Sequence, residues 1–179
     1  MPKLLPESLT LDRLATPVGE ALLVVDEDGV LRAFDFSDYE PRMRALMARH
    51  YPGMELRPGP VRECVRAATA GYFAGDLRAF GGLATATNGT DFQRRVWSGL
   101  CTISAGETLS YKGLAERIGA PKAMRAVGLA NGANPLAIVV PCHRVIGADG
   151  SLTGYGGGLP RKRWLLAHEG AGFKDRLAA

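Results

Sequence analysis

Cysteine and histidine are scarce in this 179-residue chain, three of each, and neither is spaced for metal or disulfide chemistry. Cys64, Cys101 and Cys142 are odd in number, far apart and without a CxxC pair, which argues against a disulfide framework and a cysteine-based zinc site. His50, His143 and His168 show no ligand spacing. No metal and no cofactor is therefore expected. No apolar run approaches the roughly 20 residues of a membrane span. The opening MPKLLPESLT lacks the apolar segment of a secretory signal. These absences lead to the expectation of a cytoplasmic chain with no membrane partner. The modest formal charge of +4 conceals an asymmetry: residues 1–90 carry 10 Lys/Arg and 12 Asp/Glu, net −2, whereas residues 91–179 carry 12 and 6, net +6. A basic half beside a mildly acidic one points, weakly, to a polyanionic partner for the basic half.

Apolar residues, 46% of the chain, are enough for one or two packed cores. ALLVVDEDGVLRAF reads as a β-hairpin turning at Asp28-Gly29. Beyond Pro41, the positions of Met43, Leu46, Met47 and His50 make a helical stripe, so His50 reads as a partly buried structural histidine. A second helix is expected over about 60–75, with Val61, Cys64, Val65, Ala68 and Tyr72 on one face and Cys64 in the core. GGLATATNGT (81–90) is small and polar and reads as a linker. The expected division is an N-terminal α/β domain with its linker, 1–88, and a mostly helical C-terminal domain, 89–179. Thr90 and Gln93 have capping-box spacing, so a helix should open at Asp91. Phe92, Val96, Trp97, Leu100 and Ile103 share its inner arc, and Cys101, at the arc's edge, reads as a packing residue.

Ser110 can cap a helix whose inner face carries Tyr111, Leu114, Ala115 and Ile118, Gly119 stops it, and Pro121 suits the start of another. Two short helices around a glycine turn make a helix-turn-helix pattern. In the second helix, at about 100° per residue, Ala123, Val127 and Ala130 cluster on one side while Arg125, Gly128 and Gly132 point the other way. A surface helix normally carries long polar side chains outward and avoids glycine. The small outer face fits either a second protein layer or a nucleic-acid backbone. LAIVV (136–140) reads as a buried extended segment ended by Pro141, so Cys142 falls where a buried strand meets a loop. A thiol attacks as thiolate, which requires a lowered pKa or a base. His143 is adjacent, and Glu169 is a candidate to orient it. A cysteine hydrolase, or a DNA-binding module with a structural cysteine, fits the same residues. PRKRW (160–164) puts three cations in a first helical turn against the helix dipole, to be read as solvated surface charge or as phosphate contacts.

PCHRVIG, with RAVGLANGANP before it and GYGGGLPRKRWLLAHEG after it, resembles the O6-alkylguanine-DNA alkyltransferases, most of all their short bacterial Ogt-type members. TDFQRRVWSGL and GETLSYKGLAERIGAP extend the resemblance over about 90–170; residues 1–80 match more loosely, as a strand-rich domain with YFAGDL near its end. The resemblance implies an α+β fold: a small strand-rich N-terminal domain, then a helical domain with a helix-turn-helix. It implies single-turnover transfer of an alkyl group from O6-alkylguanine, and also O4-alkylthymine, in double-stranded DNA, by a monomer that flips the damaged base. Cys142 would accept the alkyl group, and His143, oriented by Glu169, would deprotonate it through a water. Asn134 would brace the active-site turn and Tyr111 would protonate or hydrogen-bond the leaving base. Arg125 would enter the duplex, with Ala123, Ala126, Gly128 and Gly132 around it against DNA. The backbone of Val145 and Ile146, with Tyr155 and Gly156, would line the base pocket, with Lys162 near its rim. Gly156 stands where some relatives carry serine.

Overall fold

The computed structural model describes residues 5–175. It is an α+β protein that divides into two compact units, Met1–Asn88 and Gly89–Ala179. The first is built on a four-stranded sheet in the order β3-β2-β1-β4, from β1 (Leu9–Thr16), β2 (Gly19–Asp26), β3 (Leu31–Phe36) and β4 (Leu56–Pro58). All pairs are antiparallel except β1 with β4. The expected hairpin is β2–β3. Asp26 closes its turn by accepting from the backbone N–H of Asp28 and Val30, while its other carboxylate oxygen holds buried Arg32 at 2.6 Å. β1, which pairs with β2 of the hairpin, and β4, which pairs with β1, were not legible as strands.

β2 and the edge strand β3 are buried along most of their length, because each face of the sheet is covered. Helix α1 (Glu40–His50) lays Met43 and Met47 on Leu22, Val24 and Ala33. On the opposite face Phe34 meets Phe80 edge-on, and Phe80 packs on Tyr72 of helix α2 (Glu63–Phe73). The buried residues of α2 are Val65, Thr69 and Tyr72, so its inner face is rotated from the one expected and Cys64 is exposed, outside the core. His50 is buried as expected, and burial lowers its pKa.

The second unit starts with α3 (Asp91–Leu100), whose capping box forms as read: Thr90 Oγ1 accepts from Gln93 N–H and Gln93 Oε1 accepts from Thr90 N–H. Val96, Trp97 and Leu100 are buried, and Trp97 Nε1 donates to Ala130 O at 2.9 Å, tying α3 to the helix that carries Ala130. Cys101 is the C-cap of α3 and is exposed, because the chain leaves the helix there; it is not a packing residue. Helices α4 (Tyr111–Arg117) and α5 (Met124–Gly132) form the helix-turn-helix, with Gly119 at a positive φ of 69° that its turn requires. A two-stranded parallel ladder joins β5 (Leu109–Ser110) to β6 (Val145–Ile146), and α6 (Leu159–His168) packs on the Cys142–Arg144 turn. Among the described residues, no helix is long and apolar enough to cross a membrane.

Candidate active site

LAIVV does not run extended. It folds into a compact turn in which Val139 N–H donates to Ala137 O and Val140 N–H donates to Leu136 O, both at 2.8 Å. Ile138, at its centre, has φ 68°, the one positive φ outside glycine among the described residues. A β-branched residue pays steric strain there. The apolar run signalled burial correctly, since four of its five residues are buried, but burial in a turn and burial in a strand look alike in sequence. Pro141 follows with φ −79° and ψ 63°, an inverse γ-turn closed by Cys142 N–H on Val140 O at 2.8 Å.

Asn134 holds this geometry. Its Oδ1 accepts from Leu136 N–H at 3.0 Å, and its Nδ2 donates to Val140 O at 2.8 Å and to Cys142 Sγ at 3.2 Å. One amide thus fixes both ends of the turn and places a donor on the sulfur, where a hydrogen bond favours the thiolate. Cys142 opens a short 3₁₀ turn, and the residue is 6% exposed.

The same 3₁₀ turn sends His143 and Arg144 inward. His143 Nε2 is 2.9 Å from Glu169 Oε1. Arg144 grips that carboxylate with Nε on Oε2 at 2.8 Å and Nη2 on Oε1 at 2.9 Å, and donates through Nη1 to Ile103 O. This bidentate pair, with His143, holds the Glu169 carboxyl far below the usual carboxylate range despite its burial. Burial pushes the His143 pKa down, against the opposing pull of Glu169. A neutral His143 facing an ionised carboxylate must carry its proton on Nε2. Nδ1 is then the free base, and it is buried with no hydrogen-bond partner among the described residues. Arg144 was not singled out from sequence; its place directly after His143 is the only signal.

Cys142 lies in the wall of a cavity of about 290 Å³, together with Tyr111, Asn131, Tyr155, Gly156 and glycines 128, 132 and 154. Tyr111 stands at the start of α4, which Ser110 caps, and its hydroxyl accepts from Thr153 Oγ1 at 3.4 Å. Gly128 is half-buried, and a Cβ there would sit 3.8 Å from the Tyr111 ring. It therefore belongs to the cavity side of α5 rather than its outer face, because the helix turns Gly128 toward Tyr111 at the start of α4. Gly132 lines the cavity as well, while Ala123 is the half-buried N-cap of α5. Arg125 and Ala126 are exposed on α5, with Met124 and Leu129 beside them.

Val145 and Ile146 are buried in β6, outside the residues that line the cavity. Lys162 is wholly buried, not at a rim, and it is neither solvated nor available to a phosphate. Its Nζ donates to Val145 O at 2.6 Å and to Thr153 O at 2.9 Å. Burial lowers its pKa to about 8, partly opposed by attraction to Cys142. The flanking cations are engaged too, Arg161 with Gly157 O and Arg163 with Asp175. The first turn of α6 thus spends its cations on carbonyls and a carboxylate. Sequence reasoning passed over Asn131, which is buried and lines the cavity; an asparagine on the buried side of a helix, against its propensity, was the available signal.

Among the described residues no cluster of three or more His, Cys, Asp or Glu could hold a metal ion. Residues 91–171 match the family model described as 6-O-methylguanine DNA methyltransferase, DNA binding domain. The chain is 48% identical over 165 residues to the methylated-DNA–protein-cysteine methyltransferase of Shigella flexneri, covering 89% of this chain and 94% of that protein. It is similar to the crystal structure of Mycobacterium tuberculosis O6-methylguanine methyltransferase, with a TM-score of 0.74, 41% identity, and 95% and 98% of the two chains covered. A structure of M. tuberculosis OGT in complex with DNA aligns with a TM-score of 0.75 at 42% identity, covering 90% and 92%.

Proposed function

The chain belongs to the methylated-DNA–protein-cysteine methyltransferase family, and from that premise we propose that Cys142 is the residue on which it repairs DNA. The protein is a DNA-binding alkyltransferase that restores alkylated DNA directly, by transfer of the alkyl group to cysteine. Its substrate is O6-alkylguanine in double-stranded DNA, and O4-alkylthymine is a second lesion of the same kind. The damaged base leaves the stack and enters the cavity beside Cys142. The thiol proton passes to His143 Nδ1 through a bridging water, while Glu169, held in place by Arg144, stabilises the imidazolium from the other side. The thiolate, held by Asn134, attacks the sp³ alkyl carbon. A C–S bond forms, the C–O bond breaks, and its electron pair goes to the guanine oxygen. Tyr111 supplies or hydrogen-bonds the proton that completes guanine. The product is a thioether, which offers no easy hydrolysis, so each molecule acts once. It works as a monomer in the cytoplasm.

The observation that carries this reading is the convergence of one donor-held thiol and one carboxylate-oriented histidine beside a cavity. The test is to incubate the protein with a duplex carrying O6-methylguanine and map added mass on its peptides. One methyl group per molecule on the peptide containing Cys142, and none in Cys142→Ala, is the expected result. Methylation elsewhere would overturn the assignment. Repair far beyond one equivalent would point instead to a turning-over cysteine enzyme.

A further inference from the structure

Asn131 is a polar cavity residue to which the proposed chemistry gives no work. It sits in the last turn of α5, 5% exposed, and lines the cavity with Cys142, Tyr111 and Tyr155. Its Oδ1 is buried and has no hydrogen-bond partner among the described residues. Leaving a buried acceptor unmade is costly, so an unmet acceptor in a cavity wall marks where a donor is to arrive.

We propose that Asn131 Oδ1 reads the exocyclic 2-amino group of the extruded guanine, and so makes the cavity select alkylated guanine over alkylated thymine. The inference rests on the reading that the damaged base enters this cavity. The chemistry of the two lesions carries it. Alkylation at O6 removes the N1 proton of guanine, so N1, N3 and N7 all become acceptors. The 2-amino group is then the only donor left on the base. O4-alkylthymine has lost its N3 proton and presents no N–H donor at all. An acceptor in the cavity wall is therefore satisfied by O6-alkylguanine and stranded by O4-alkylthymine. A site built to hydrogen-bond one substrate group rejects the analogue that lacks it, because its own buried polar atom is left unpaired.

The test is a cycle that crosses the residue with the amino group. Single-turnover rates are measured for the wild type, Asn131→Leu and Asn131→Ala on three duplexes of one sequence, carrying O6-methylguanine, O6-methylhypoxanthine or O4-methylthymine. O6-methylhypoxanthine differs from O6-methylguanine only in lacking the 2-amino group. Any difference in how easily each base leaves the duplex is the same for every protein variant and cancels in the cycle. The wild type should prefer O6-methylguanine over O6-methylhypoxanthine by about tenfold more than either variant does. The variants should lose rate on O6-methylguanine while keeping it on the other two duplexes. Equal slowing on all three would mean that Asn131 only supports the helix, and the inference would fall. A variant that prefers the hypoxanthine lesion no differently from the wild type would do the same. If one variant does not fold, the other completes the cycle; a wild type that repairs both purine lesions at equal rates overturns the inference whatever the variants do. A wild type inactive on O6-methylguanine would instead remove the proposed function itself.

Discussion

His143 Nε2 and Glu169 Oε1 stand 2.9 Å apart, and solvent reaches neither side chain. Two consequences follow from that pair. The carboxylate fixes the imidazole tautomer, and Arg144 keeps the carboxylate ionised inside the protein, where its charge would otherwise be expensive. Burial also lowers the His143 pKa, so the imidazole enters the reaction neutral and able to take a proton.

Glu169→Gln should damage both chemistry and stability. The amide cannot favour the Nε2 tautomer as a carboxylate does, and the Arg144 guanidinium loses its buried counter-charge. Breaking one partner out of a buried pair costs about 3–5 kcal/mol. Urea unfolding should register a loss of that size, and single-turnover transfer at low temperature, where the variant remains folded, should slow by about a hundredfold or more. A folded variant that transfers at the wild-type rate would reduce Glu169 to a structural role.

Lys162 predicts a pH dependence of stability. Its pKa is about 8 in the folded protein, against 10.5 for an ordinary lysine. Between those values the unfolded chain holds a proton that the folded chain has released. Stability contributed by this group therefore rises with pH from about 8 to 10.5, by on the order of 3 kcal/mol. Below pH 8 both states are protonated and the contribution is flat. Subtracting the urea-unfolding curve of Lys162→Met from that of the wild type across this range isolates the effect. A difference that does not change with pH would mean that the buried ammonium titrates like a solvated one.

Arg125 is exposed on α5, apart from the buried Val127 and Ala130. Extruding a base costs a few kcal/mol, and a side chain that fills the vacated space offsets part of it. Arg125→Ala should slow repair of double-stranded O6-methylguanine by about tenfold to a hundredfold. It should leave reaction with the free base O6-benzylguanine within about threefold, because that base needs no extrusion. Both rates are measured in one buffer. Equal slowing would assign Arg125 to the pocket or the fold.

Several features were legible because they are local. The capping box at Thr90 and Gln93, the Ser110 cap and the stop at Gly119 each depend on residues a few positions apart, and all three form. The β2–β3 hairpin was legible from its turn and its two apolar runs, whereas β1 and β4 were hidden because a strand is recognised by its partners as much as by its pattern. Cys64 and Cys101 were read inward because a helical face drawn from sequence can err by one position, which is enough to carry a residue from core to solvent.

The sequence by itself determined the family, the α+β class, and the adjacency of Cys142, His143 and Arg144, because these follow from residue order and short-range spacing. Tertiary structure alone decided what those residues face. Glu169 is 26 positions from His143 and reaches it because α6 packs on the 3₁₀ turn. Lys162 turned inward to two carbonyls rather than outward to water, and Gly128 turned toward Tyr111 rather than away. Asn131, which lines the cavity, was left with a buried acceptor that no described residue meets. Burial of a polar group is permitted only where partners from distant segments converge, and that convergence is a property of the packed chain, not of any stretch of its sequence.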